Sequence, residues 1–82
     1  MYTTAEGTIA RLDRRNSSTN GNPRYRVTLV GQATIDTETD ASVNYAIDNP
    51  EYRDVPIVLT LERNKVVGIR TADGKHTDGP QG

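Results

Sequence analysis

The stretch Thr37–Tyr52, TETDASVNYAIDNPEY, is where the apolar residues leave the every-second-position rhythm of the rest of the chain. Val43 and Ile47 stand four apart with Ala46 beside them, Thr39 or Asp40 offers an N-cap, and Asn49-Pro50 supplies a stop. The spacing predicts a short helix from about Asp40 to Asp48.

The flanking segments keep a period of two and read as strands. Upstream, TAEGTIARLD is a first strand in which Gly7 offers a bend or bulge and the alternation of Ile9 with Leu12 is imperfect. RYRVTLV is a second strand with Tyr25, Val27 and Leu29 on one face and Arg24, Arg26 and Thr28 on the other. ATIDT gives a short third strand, with Ile35 placed opposite Leu29 across Gly31 to Ala33. Downstream, VPIVLTL and VVGIR make two more; a connection through Arg63, Asn64 and Lys65 pairs Leu61 with Val67 and Leu59 with Ile69. The expected core is Leu12, Val27, Leu29, Ile35, Val43, Ile47, Ile57, Leu59, Leu61, Val67 and Ile69.

Three strands, a helix and two strands is the element order of an OB-like fold, a five-stranded Greek-key β-barrel with one short helix between strands 3 and 4. The fold class expected is therefore mainly β (α+β). An SH3-like barrel is the alternative; its long first hairpin matches, but the helix does not. Residues 1–71 form the expected single domain, and ADGKHTDGPQG, 72–82, reads as a flexible C-terminal tail.

The first connection, RLDRRNSSTNGNPRYRVTL from Arg11 to Leu29, is the most unusual part of the chain. Asn20-Gly21 suits a two-residue type I′ turn, and counting outward from it sets Leu12 opposite Leu29. The polar run between offers little apolar area to repay the entropy of ordering it, so its tip is expected to be mobile and to serve recognition.

The chain has 82 residues, no cysteine and a net charge of -1. Without cysteine there is no disulfide framework or thiolate metal site, and a reducing, cytoplasmic setting is the simplest expectation. No segment approaches the roughly 18 apolar residues of a membrane span, and the first residues lack a signal-peptide pattern. Charge is unevenly spread: Arg11, Arg14, Arg15, Arg24 and Arg26 dominate the first 30 residues, whereas Asp36, Glu38, Asp40, Asp48, Glu51 and Asp54 dominate 31–54.

Arg14, Arg15, Asn16, Ser17, Ser18, Asn20, Arg24 and Arg26, with Arg63 and Lys65 on the last hairpin, are the candidate binding residues. In an OB-like barrel these two hairpins flank the ligand groove. Cations and neutral donors there could meet phosphates or grip carboxylates of an acidic protein. The chain has four tyrosines and neither Trp nor Phe, which is poor provision for base stacking, and Tyr25 faces inward by parity. Arg26 beside Asp36 would also partly neutralise the groove.

The acids Asp36, Glu38 and Asp40 alternate like the start of a calcium loop, but Ala41 and Ile47 stand where that loop needs Gly and Glu, so no metal site is expected. His76 lies in the tail, no serine sits in a nucleophile elbow, and no Gly-rich phosphate loop occurs, so neither enzymatic activity nor a cofactor is expected.

The strings NSSTNGNPRYRVTL and TDASVNYAIDNPEYRDVPIVLTL resemble those of small uncharacterised accessory proteins of actinobacterial bacteriophages, a likeness covering most of residues 5–70. The resemblance implies a phage accessory protein acting in the host cytoplasm and assigns no functional residues. The expected function is a non-enzymatic binding module contacting an acidic host or phage protein through the Arg-rich β-hairpin. Weak single-stranded nucleic-acid binding by the same groove is the alternative, and self-association through the oppositely charged segments is a third reading.

Overall fold

The computed structural model describes residues 1–82. Strands β1 (Thr3–Gly7), β2 (Ile9–Arg15), β3 (Arg24–Leu29), β4 (Thr34–Asp36), β5 (Ile57–Glu62), β6 (Lys65–Thr71) and β7 (Thr77–Asp78) form two antiparallel sheets, ordered β1-β5-β6-β7 and β2-β3-β4. The expected five-stranded closed barrel is corrected to seven strands in two sheets. Two changes produce the difference. The first strand breaks at Thr8 into β1 and β2, one in each sheet, and residues 72–82, expected to be a flexible tail, contribute β7 along β6. Gly7 precedes the break, and a Cβ there would come within 3.1 Å of Gln32 Nε2. Between the sheets run the β1–β2 junction and one parallel bridge, Thr37 to Val66, where the Glu38 N–H donates to the Val66 carbonyl at 2.8 Å.

The expected helix over residues 40–48 is replaced by two 3-10 turns, Ser42–Tyr45 and Pro50–Tyr52. Nine residues are few to nucleate an α-helix. Asn44 also diverts local backbone: its buried amide donates to the carbonyls of Glu38 at 2.9 Å and Ala41 at 3.1 Å. Asp40 has φ 61 and is not an N-cap. Val43 and Ile47 are nevertheless fully buried, so their spacing reported a shared inward face.

Two β-bulges decide which side chains reach the core. Between Ile9 and Arg11 the register shifts against β3, so Ile9 faces Leu29 and Leu12 faces Val27, both inward although three apart. In β6 the shift lets Val66 pair with Leu61 while Ile69 pairs with Leu59. The turn there is the two-residue Arg63-Asn64, with φ 51 and 64 as a type I′ turn requires, and the bulge restores the Leu59–Ile69 pairing that a longer connection was expected to give. The core is Ile9, Val27, Leu29, Val43, Ile47, Tyr52, Ile57, Leu59, Leu61, Val66 and Ile69. Leu12 and Ile35 are only partly buried at its margin, and Val67, the bulge residue, lies outside this cluster.

The first hairpin is shifted by two residues from the expected register: Arg15 faces Arg24, leaving Asn16 to Pro23 as the connection. Asn20-Gly21 is not a type I′ turn; the Gly21 N–H donates to the Ser18 carbonyl at 2.8 Å and only Gly21 has positive φ. Likewise Ile35 pairs with Val27 and not with Leu29, because the turn after β3 begins at Leu29, whose carbonyl accepts from the Gln32 N–H.

Candidate functional site

Strand parity sorts the arginines. The cross-strand pairs Leu12–Val27 and Arg14–Tyr25 share the core-side face of the three-stranded sheet. The opposite, outward face carries Arg11, Asp13 and Arg15 from β2, Arg24, Arg26 and Thr28 from β3, and Thr34 and Asp36 from β4. Lys65, at the start of β6, reaches the same face, its Nζ 3.9 Å from Asp36.

Asp36 is the centre of this face. Arg15 Nη1 donates to Asp36 Oδ2 at 2.6 Å, and Arg26 Nε donates to Oδ1 at 2.8 Å. The Asp36 side chain is 18% exposed, whereas those of Arg15 and Arg26 are 35% and 45% exposed. The hydrogen bond from Arg26, aided by the positive charge of Arg15 and Lys65, holds the Asp36 carboxyl below the usual carboxylate range against the opposing effect of burial; the same pairing raises Arg26. Arg11 donates to Asp13 at 2.8 Å and remains widely exposed. Arg24 donates from Nε to the Asn16 carbonyl at 2.8 Å and makes no ion pair, its charge acting on Asp40 only at longer range. Five cations therefore share the face with two carboxylates, leaving it net positive in a chain of net charge -1.

The other candidates part company. Arg14 turns to the opposite side, its guanidinium 5.7 Å from the Tyr25 ring centroid, and donates to Ser17 Oγ at 3.2 Å. Ser18 and Asn20 point at Asp40: Ser18 Oγ donates to Asp40 Oδ1 at 2.5 Å and Asn20 Nδ2 to Oδ2 at 2.8 Å, with Asn22 Nδ2 joining at 2.7 Å. These three donors hold the Asp40 carboxyl low. Tyr45 OH donates to Asn22 Oδ1. The connection expected to have a mobile tip is thus tied to the segment before the first 3-10 turn, because Asp40 supplies in polar contacts what the loop lacks in apolar area. Arg63 stands exposed at the β5–β6 turn.

Sequence reading missed Arg11, which parity and the β2 bulge place on the face, and gave Asp36 one partner where it has three cations around it. It also missed Asp40, whose partners lie 18 to 22 residues away and leave no local signal.

A separate open pocket of about 400 Å³ at the far end is lined by Glu51, Pro56, Thr71, Asp73, Lys75 and His76 among others. Its hydroxyl, Thr71 Oγ1, donates to Asp73 at 2.7 Å and accepts from the His76 N–H. The hydroxyl is committed to holding a turn. No helix of the chain is long and apolar enough to cross a membrane.

Neither a protein-family model, nor a curated protein, nor a solved structure matches this chain.

Proposed function

We propose that the chain is a non-enzymatic binding module that grips an acidic protein surface with the outward face of β2, β3 and β4. The observation that carries this reading is that Arg11, Arg15, Arg24, Arg26 and Lys65 share one face with only two carboxylates, Asp13 and Asp36, of which Asp36 is held by Arg15, Arg26 and Lys65. Arginine forks suit carboxylates, and arginine is enriched at interface hot spots. A face without an aromatic side chain suits a protein partner better than unstacked bases.

An OB-like architecture is part of the proposal. Taking β1 and β2 as one bent strand and setting β7 aside leaves five strands with a short helical segment between the third and fourth. The Thr37–Val66 bridge then brings the third strand beside the fifth, as a Greek-key barrel requires and an SH3-like one does not. That placement favours a second reading, weak binding of single-stranded nucleic acid, because OB folds bind oligonucleotides on this face. The resemblance to bacteriophage accessory proteins supports a partner in the host cytoplasm.

The test uses capture from host lysate, with and without nuclease, by the full chain and by two sets of variants. Arg11→Glu with Arg24→Glu reverses two face cations that do not hold Asp36; Arg14→Glu changes a cation on the opposite side. Protein binding predicts nuclease-resistant capture lost only in the first set. Nucleic-acid binding predicts nuclease-sensitive capture and a log affinity that falls with log salt by about 0.7 per phosphate contacted. Equal capture by all variants removes the face from consideration.

A further inference from the structure

The outward side of the four-stranded sheet is covered where a solvent-facing surface is expected. Val58 and Thr60, which alternate with the core residues Ile57, Leu59 and Leu61, are only 3% and 1% exposed, and Val67 is 7% exposed. Thr77 and Asp78 pair along the edge of β6, and residues 79–82 then fold over this surface and fit it closely. A Cβ on Gly68 would collide with the Pro80 carbonyl oxygen, and one on Gly79, whose φ is 74, would collide with the Val67 carbonyl oxygen. Gln81 Nε2 donates to the Ile69 carbonyl at 3.1 Å, the Gly82 N–H donates to Thr60 Oγ1 at 3.1 Å, and Tyr52 OH donates to Asp78 Oδ2 at 2.5 Å. The sheet therefore carries a receptor for the sequence Thr77–Gly82, with a glycine seat at its centre.

The segment is attached by a separable turn. Asp73 to His76 are exposed and hydrogen-bond only with Thr71 and one another, so opening this turn uncovers no core residue. The β6–β7 ladder has only two residue pairs. A receptor that fits this hexapeptide fits the same hexapeptide of another copy, and a short turn that can straighten lets it reach one.

We propose that the edge of β6 and the outward face of β5 and β6 together form a docking surface for residues 77–82 that exchanges its occupant between two copies of the chain. In the single copy the segment closes on its own sheet; in the pair each copy's segment occupies the partner's. The association is self-limiting, because each copy offers one segment and one seat.

The chain has no cysteine, so cysteines can be introduced as reporters. Two full-length variants, Thr60→Cys and Gly82→Cys, are unfolded together in urea, refolded at about 1 mM, within the range of effective concentrations that a short linker provides, and oxidised. Exchange predicts that the disulfide-linked heterodimer predominates over both homodimers. It also predicts loss of the heterodimer when Gly68→Val is added to the Thr60→Cys chain, because the new side chain fills the seat. Gly79→Val in the Gly82→Cys chain gives the same loss from the segment's side and leaves the sheet intact should Gly68→Val impair folding. Homodimers and heterodimers in random proportion, no linked species, or a heterodimer that survives Gly79→Val would overturn the proposal.

Discussion

Replacing Tyr52 by Phe removes one oxygen and leaves the ring that fills the core. Tyr52 is fully buried, and its hydroxyl donates to Asp78 Oδ2 at 2.5 Å, joining the second 3-10 turn to β7. A hydrogen bond to a charged group contributes about 1.5–3 kcal/mol, and the lower end applies because the partly exposed Asp78 regains water once its partner is gone. A loss of about 1.5 kcal/mol lowers Tm by roughly 6–12 °C in a domain of this size. Burial and the Asp78 bond also push the Tyr52 phenol above its ordinary value. A raised acid favours its protonated form in the fold, so this contribution is complete below about pH 10 and is lost as pH rises beyond it. Thermal and urea unfolding of Tyr52→Phe, Asp78→Asn and the double variant, at pH 7 and in an alkaline series, measure both effects. Stability of Tyr52→Phe within about 0.3 kcal/mol of the parent, or additivity of the two substitutions, would refute the bond.

Leu59→Ala empties a fully buried central position and should lower stability by about 2–5 kcal/mol in urea unfolding, with much of the chain unfolded at 37 °C. Asp36, held low by Arg26, contributes stability above the ordinary carboxylate range that is lost as pH falls through its lowered value. Acid unfolding of Asp36→Asn should therefore show a shallower acid limb than the parent. Asp40→Ala should release the Asn16 to Pro23 connection without unfolding the sheets. Amide exchange by NMR should accelerate at Gly21 and Asn22 while the β5–β6 amides keep their protection.

How far the sequence could be read depended on whether its signals were local. The period of two survived a hairpin register wrong by two residues, because a shift of two leaves every side chain on its own face. Tyr25 and Val27 were therefore correctly separated from Arg24 and Arg26. Arg14 and Arg15 both stand among the candidate binding residues, yet neighbours on a strand point to opposite faces, and that difference is legible in the sequence. The bulges were harder: Ile9 with Leu12, and Val66 with Ile69, break strict alternation, and only the pairing partner shows where the extra residue goes. Val43 and Ile47 fit a helix and a pair of 3-10 turns equally, since both bury residues four apart here. Composition hid two long-range contacts, Asp40 with the polar loop and residues 77–82 with Gly68. In each case few apolar residues suggested mobility, and hydrogen bonds or a missing side chain supplied the order.

The outward face holds a local conflict that bears on its function. Arg15 and Arg24 are direct cross-strand partners, and like charges so placed are destabilising by about 0.2–1 kcal/mol. Asp36 answers Arg15, whereas Arg24 donates to a carbonyl, makes no ion pair and is attracted by the Asp40 carboxylate only at longer range. A small domain has little stability to spare, and positions where a local rule is broken with only partial compensation mark sites serving another end. An anion from a partner would resolve the conflict, so partner binding and folding should be linked. Arg24→Gln separates the two roles, since it removes the repulsion and keeps an amide able to donate to Asn16. The free variant should be as stable as the parent or more so, by up to about 1 kcal/mol in urea unfolding, while its capture of the acidic partner falls. A variant that loses stability and retains full binding would show that Arg24 serves the fold, and the centre of the binding face would then move to Arg11, Arg26 and Lys65.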